Sequence, residues 1–135
     1  MYDAINRGFA RATGELCAYL NCDEQYLPGS LNQVTAIFVT RPSLDMLFGD
    51  AVLADETGPV SYRRVILPRQ EHLKKRPLNT PTCATFFRRA IIDRGFLFDP
   101  QWKIVGDKAW ICHLIDNKIT MRTFRQPLSV YFFTG

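Results

Sequence analysis

The segment at residues 16–31, LCAYLNCDEQYLPGSL, decides the fold prediction. Its first five residues are apolar without polar alternation, a pattern that is typical of a strand covered on both faces, as in parallel sheets. Residues 2–13 predict an amphipathic helix, because apolar side chains recur at steps of three and four, and Gly14 is a typical helix stop. A helix, a glycine and a buried strand form half of a βαβ unit, so we predict an α/β fold.

The rest of the sequence adds further helix and strand patterns. A second helix is predicted after Pro28, and its buried side would consist of Leu31, Val34, Ile37 and Phe38. The pattern as a whole predicts a mixed β-sheet flanked by helices. Strands are predicted at residues 46–53, 60–66, 84–87, 119–124 and 129–133, a turn at 55–58, helical segments at 88–94 and 106–115, and a mobile polar loop at 69–81.

Composition indicates one folded domain over residues 1–135. The chain is 47% hydrophobic and 13% aromatic, which excludes a wholly disordered protein, and no apolar run approaches the roughly 20 residues that span a bilayer. We expect a cytosolic protein, and association with the inner face of the membrane is compatible with this expectation. The net charge of +4 suits phosphate-bearing ligands or an anionic membrane and is too small to indicate nucleic acid. Cys17, Cys22, Cys83 and Cys112 lack zinc-site spacing, so free thiols are predicted.

The first candidate site is Asn21, Asp23 and Glu24, directly after the predicted strand at residues 16–20. In open α/β sheets, ligands lie beyond the carboxyl ends of strands. An amide oxygen and two carboxylates are the ligands that Mg²⁺ and Mn²⁺ prefer, usually together with substrate phosphates. The alternative is a solvated acidic turn that opens a helix, where carboxylates favour the positive dipole end. The residues alone leave both interpretations open.

Asp107 and two arginines are further candidates. Asp107 precedes an apolar helix and is either its N-terminal cap or a general base that takes a proton from a hydroxyl. Arg88 and Arg89 are either phosphate ligands or ordinary surface charges. The sequence contains no P-loop, no G-x-G-x-x-G, no H-E-x-x-H and no G-x-S-x-G, which argues against the usual nucleotide hydrolases, dinucleotide enzymes, zinc proteases and serine hydrolases.

Taken in order, three stretches resemble the inverting family 2 glycosyltransferases: residues 2–31, residues 48–53 (FGDAVL) and residues 84–110 (ATFFRRAIIDRGFLFDPQWKIVGDKAW). The resemblance implies an A-type glycosyltransferase fold, the nucleotide-diphospho-sugar transferase type, in a single mixed-sheet domain. It also implies transfer of a sugar from a nucleotide-sugar donor to a saccharide or lipid-linked acceptor in bacterial polysaccharide synthesis. Mn²⁺ or Mg²⁺ is the implied cofactor.

The resemblance assigns roles to particular residues. Asn21 and Asp23 match the metal motif that holds the donor diphosphate, and Asp23 and Glu24 are the implied metal ligands. Asp107 matches the catalytic base on the acceptor side. Asn6 and Arg7 match a polar pair with donor contacts. Arg88 and Arg89 are the acceptor-side candidates.

The chain also departs from the family pattern. Many relatives have His-Gln at the positions of Thr82 and Cys83, so the resemblance does not supply the acceptor-side contact of that pair. The Q-x-x-R-W motif of processive synthases does not occur, which argues against a processive synthase. The family's first strands have no counterpart, so we expect the metal-motif and acceptor-side part of a catalytic domain. Without those strands, the apolar strand at residues 16–20 has an exposed edge. We therefore predict that the chain forms an oligomer or binds a partner that covers this edge. The alternative function is a non-catalytic glycosyltransferase-like remnant that acts through protein contacts.

Overall fold

A computed structural model describes residues 1–133, which form a single mixed sheet with helices on both faces. The strands are β1 (Leu16–Cys17), β2 (Glu24–Tyr26), β3 (Met46–Asp55), β4 (Gly58–Arg63), β5 (Thr85–Arg88) and β6 (Met121–Phe132). The helices are α1 (Tyr2–Arg11), α2 (Ser30–Thr40), α3 (Gln70–Leu73), α4 (Ala90–Asp93) and α5 (Gly106–Asp116). A 3-10 turn spans Thr82–Ala84. The predicted mixed α/β class is confirmed.

The long strands β3 and β6 form the centre of the sheet. The strand order is β1-β5-β3-β6-β2, and β4 pairs with the outer part of β3 as a hairpin. β3 and β6 run parallel, whereas the other pairs are antiparallel. The middle of β3 is buried on both faces, which explains its nearly continuous apolar sequence.

Two apolar clusters lie on opposite faces of this sheet, since side chains alternate along a strand. Met46, Phe48 and Phe87 join the cluster that includes α1 and α5. Leu47 and Phe86 join the other cluster, which includes Val34 and Phe38 of α2. Each face of the sheet is therefore covered by helices, as predicted.

The strand predicted at residues 16–20 is much shorter than expected. β1 contains two residues, pairs antiparallel with β5 at the end of the sheet, and buries Cys17 only. The chain then turns away because the Tyr19 ring packs edge-on against Phe9 and Phe98 in the α1 cluster. Leu20 is 38% exposed. The prediction of an interior parallel strand was wrong, because aromatic packing beneath the sheet competes with strand pairing.

Three other local predictions need correction. Leu31 is exposed rather than on the buried side of α2. The predicted loop at 69–81 contains α3, which is fixed to α5 by the Gln70 side-chain amide donating to Asp116 at 2.6 Å. The two strands predicted around Pro127 are one strand, because register shifts on both sides of Asp50 accommodate the proline.

Candidate active site

A cleft of about 300 Å³ opens beside β2, the 3-10 turn and the start of α5. Two carboxylates face into it, from Glu24 and Asp107, which are 83 positions apart in the sequence. The remaining lining residues are Ala51, Leu53, Arg63, Leu78, Thr80, Pro81, Thr82, Cys83 and Tyr131. The fold therefore brings one residue of the predicted metal loop and the predicted base to the same cleft.

Glu24 is held by hydrogen bonds from both sides. Its Oε2 accepts from the Asn21 backbone N–H at 2.7 Å, which closes the 21–24 loop on itself. Its Oε1 accepts from the Thr82 hydroxyl at 3.4 Å, across from the loop. The position of this carboxylate is thus fixed by its own loop and by the opposite wall of the cleft.

Asp23 lies next to Glu24 but is not among the residues that line the cleft. Its backbone carbonyl accepts from the Phe132 N–H at 2.8 Å and so joins the loop to the end of β6. The side chains of Asn21 and Asp23 are half-buried. Their roles as donor and metal ligands stay predictions.

Asp107 is in the first turn of α5. Its Oδ1 accepts from the Lys108 N–H at 2.8 Å, and its own N–H donates to the Tyr2 hydroxyl at 3.2 Å. That hydroxyl donates in turn to the Ile104 carbonyl at 3.3 Å, so α1 positions the start of α5. Within residues 1–133 no hydrogen bond occupies Oδ2 of Asp107, an oxygen that could accept a substrate proton.

The wall between these carboxylates contains a buried thiol. Cys83 accepts a hydrogen bond from the buried Ser129 hydroxyl at 3.1 Å. Burial raises the pKa of the Cys83 thiol to about 11, with the Glu24 charge adding to the rise and the Ser129 hydrogen bond opposing it. Burial also raises the pKa of the Tyr26 phenol to about 12 and that of the Tyr19 phenol further. These groups are therefore neutral hydrogen-bonding groups at physiological pH, and Cys83 is a poor nucleophile.

Asn6 and Arg7 lie away from the cleft. The Asn6 amide donates to the Phe98 carbonyl at 2.7 Å and accepts from the Phe98 N–H at 3.0 Å. Arg7 pairs with Asp3 one turn away on the exposed side of α1. Among the residues described, these contacts account for both side chains, and their donor contacts stay predictions.

The two candidate arginines also contact protein groups outside the cleft. The Arg88 guanidinium donates to the Leu44 carbonyl at 2.8 Å and the Phe38 carbonyl at 2.9 Å, at the end of α2. Arg89 lies 3.7 Å from Asp93 on the same helical turn. Neither arginine lines the cleft. The acceptor-side role of this pair stays a prediction.

Sequence reasoning did not find Arg63 and Tyr131 as cleft residues. They belong to β4 and β6 and come together with Glu24 only through sheet pairing, so no local pattern marks them. The sequence did indicate that Thr82 and Cys83 are of interest, because they replace the His-Gln pair of the family pattern. Both line the cleft.

The donor chemistry of the 21–24 loop fits a hard divalent cation. Apart from the exposed Cys22 thiol, its side chains supply carboxylate and amide oxygens, which suit Mg²⁺ or Mn²⁺ when phosphate or water completes the shell. In residues 1–133 no group of three His, Cys, Asp or Glu side chains is placed to hold a metal ion.

Solved structures of known proteins are similar to this chain in fold. TarS of S. aureus, in a structure of its residues 1–349, matches 97% of this chain and 40% of its own at a TM-score of 0.67 and 15% identity. The chain has a glycosyltransferase fold. The same TarS segment in complex with UDP-GlcNAc gives a TM-score of 0.67 at 13% identity over 96% of this chain and 38% of that one.

A sequence relative supports the same fold assignment. An uncharacterized glycosyltransferase of Nostoc sp. is 28% identical over 142 aligned positions, which cover 98% of this chain. No family model matches the chain. The chain spans only 44% of the length of that relative, so the activity of a whole enzyme does not transfer to it directly.

Proposed function

We propose that this chain is the metal-binding and acceptor-side part of a glycosyltransferase. It would transfer a sugar from a nucleotide-sugar donor to a saccharide or lipid-linked acceptor in bacterial polysaccharide synthesis. The observation that carries the proposal is the presence of Glu24 and Asp107 in one cleft. The glycosyltransferase fold and the UDP-GlcNAc complex of TarS support a nucleotide sugar as the donor.

In this proposal Asp107 is the general base. Its free Oδ2 takes the proton of the acceptor hydroxyl as that oxygen attacks the anomeric carbon of the donor. The bond from that carbon to the diphosphate oxygen breaks, and the nucleoside diphosphate leaves on the opposite face, which inverts the configuration. The first turn of α5 stabilises the Asp107 carboxylate before transfer, because helix N-termini favour negative charge.

Asp23 and Glu24 are the proposed holders of Mn²⁺ or Mg²⁺, with Asn21 beside them. When bound, the cation would neutralise charge on the departing diphosphate. The hydrogen bonds of Glu24 to Asn21 and Thr82 keep its carboxylate in the cleft before any ligand arrives. Thr82 is therefore a positioning residue in this scheme.

The second candidate is a glycosyltransferase-like domain that acts through protein contacts without catalysis. It is favoured by one observation: Asp23, one of the two proposed metal ligands, does not line the cleft. Both candidates share the fold, so only ligand binding and turnover separate them.

Calorimetric titration with UDP-, GDP- and dTDP-sugars, with and without MnCl₂, separates the two. We expect binding of one donor that requires Mn²⁺ and weakens at least roughly tenfold in Asp23→Ala and Glu24→Gln, since each removes a charged ligand. Asp107→Asn should retain donor binding but lose about 10²–10⁴-fold in release of the nucleoside diphosphate, the usual range for a general base.

Glu56→Gln is the matched control, because Glu56 is an exposed carboxylate in the β3–β4 turn, outside the cleft. It should change neither binding nor turnover. Donor binding that is independent of metal and of Asp23 and Glu24 would contradict the assigned metal ligands. Absence of both binding and turnover would favour the non-catalytic alternative.

A further inference from the structure

Four large apolar side chains are exposed in the loop between α4 and α5. Leu97, Trp102, Ile104 and Val105 form what we call the 97–105 patch, and Ile104 is 83% exposed. No function has so far been given to these residues. Burying such side chains against an apolar medium is favourable, so a cluster of them on a surface indicates an interaction site.

The base of this loop is rigidly attached to the core. Phe98 is buried, and its backbone N–H and carbonyl are both bonded to the Asn6 side chain. The Ile104 carbonyl accepts from the Tyr2 hydroxyl. These anchors on α1 hold the backbone on both sides of residues 99–103, which lowers the ordering cost when the apolar side chains bind a partner surface.

Basic residues surround the patch. Lys103 is exposed between Trp102 and Ile104, and Lys108 follows in the first turn of α5. The Lys108 ammonium donates to the Arg76 carbonyl at 3.2 Å, which brings the exposed run Lys74, Lys75 and Arg76 next to the start of α5. The acidic group within the loop is Asp99, whose carboxylate accepts from the Gln101 N–H. The five basic residues named here outnumber the nearby acidic ones, Asp99, Asp107 and Glu71, so the charge beside the patch is net positive.

We propose that the 97–105 patch docks on a bilayer that contains anionic phospholipid. The apolar side chains enter the interfacial region and the flanking Lys and Arg residues contact lipid phosphates. The lipid interface favours exposed Trp and aliphatic side chains that lie next to basic groups. An apolar protein partner would explain the apolar side chains but would not require the basic ones. Among the described residues no helix has the length and apolar character of a membrane span.

Docking in this way would place the cleft at the membrane surface. Asp107 follows Val105 by two residues and lines the cleft, so the patch and the proposed base lie at the same end of α5. A lipid-linked acceptor would then approach Asp107 from the bilayer. This last step rests on the proposed function, whereas the docking itself does not.

Vesicle sedimentation tests the docking without any donor or acceptor. We expect the chain to bind vesicles of 70% phosphatidylcholine and 30% phosphatidylglycerol at least roughly tenfold more tightly than pure phosphatidylcholine vesicles, because basic residues add electrostatic attraction. The double variant Lys74→Ser/Lys75→Ser should weaken binding by about 30-fold, since each basic residue contributes roughly a factor of five near the surface. The double variant Trp102→Ser/Ile104→Ser should reduce binding to the mixed vesicles at least about tenfold.

Val39→Ser is the matched control, because Val39 is 74% exposed on α2, which packs on the other face of the sheet. It should bind like the wild type, and the far-ultraviolet circular dichroism of all variants should be unchanged. Equal binding to both vesicle types, absence of binding, or an equal loss in Val39→Ser would overturn the proposal. So would a change of oligomeric state in Trp102→Ser/Ile104→Ser without a change in vesicle binding. Donor binding in the calorimetric experiment is unaffected by either result, so the two proposals fail separately.

Discussion

The Asn6 side chain uses both ends of its amide on a single backbone residue. It donates to the Phe98 carbonyl and accepts from the Phe98 N–H, and Phe98 stacks with Tyr2 in the core. A substitution here leaves two backbone groups without a partner. The main role visible for Asn6 is therefore to hold the loop that leads to the 97–105 patch and to Asp107.

We expect Asn6→Ala to lower the free energy of unfolding by about 2–3 kcal/mol, because two partly buried hydrogen bonds contribute roughly 1 kcal/mol each and their partners lose solvation. Urea unfolding followed by circular dichroism measures it. Asn32→Ala, at an exposed position of α2, should change stability by less than about 0.5 kcal/mol. An Asn6→Ala protein of unchanged stability with weakened donor binding would instead support the donor contact.

Local sequence patterns singled out two of the residues that line the cleft, and the chemical roles assigned to them stay predictions. Glu24 and Asp107 each follow a recognisable boundary between a polar loop and an apolar element, and both face the cleft. Arg63 and Tyr131 reach it only because β3 and β6 pair in parallel, and that register is a property of the whole sheet. The charge of Arg88 is visible in the sequence, whereas its contacts with the Leu44 and Phe38 carbonyls depend on the tertiary fold.

At the scale of elements, the periodic helices were the most predictable. α1 and α5 occupy nearly the predicted residues, with Trp110, Ile111 and Leu114 buried as the spacing indicated. The short β1 was not predictable from its apolar run, because Tyr19 finds aromatic partners that only the folded core supplies. Four-residue α3 is too short for periodicity to reveal.

The contact between α1 and α5 depends on a glycine. A Cβ at Gly106 would collide with the Tyr2 ring, at the point where Tyr2 also bonds the N–H of Asp107. We expect Gly106→Ala to destabilise the fold by about 1–3 kcal/mol, the usual cost of overpacking. The loss should be smaller in a Tyr2→Ala background, where the obstructing ring is absent.

Gly8→Ala, on α1, is expected to change the stability of the fold in the opposite direction. A Cβ there meets nothing within 4 Å, so the change should stabilise α1 by about 0.5–1 kcal/mol through helix propensity. Denaturant unfolding of Gly8→Ala, Gly106→Ala, Tyr2→Ala and the double variant Tyr2→Ala/Gly106→Ala measures each change in the free energy of unfolding. It also gives the coupling energy between Tyr2 and Gly106. Equal costs of Gly106→Ala with and without the Tyr2 ring would show that the clash is not the cause.

β1 and β4 are two of the three strands that pair on one side only within residues 1–133, and they differ in character; the third is β2. β4 begins with Gly58 and Pro59 and ends at Arg63, and both proline and charge oppose edge pairing. β1 lies at one end of the strand order, opposite β2, and within residues 1–133 only its β5 side is paired. Leu16, the first residue of β1, is half-buried, and Leu20 follows as an exposed apolar residue. The β1 edge is the less protected of the two.

We therefore expect this chain to associate at concentrations of tens of micromolar, roughly the range in which exposed edges and apolar surface drive assembly. Sedimentation velocity over a concentration series measures the association. Leu20→Lys should shift the chain toward monomer, because a charge beside the edge opposes pairing, whereas Val60→Lys on β4 should leave the association unchanged. A monomer at all concentrations would contradict the prediction, and loss of association in Val60→Lys alone would assign the contact to β4. If association persists in both variants and vanishes in Trp102→Ser/Ile104→Ser, copies of the chain meet through the 97–105 patch, and neither edge drives assembly.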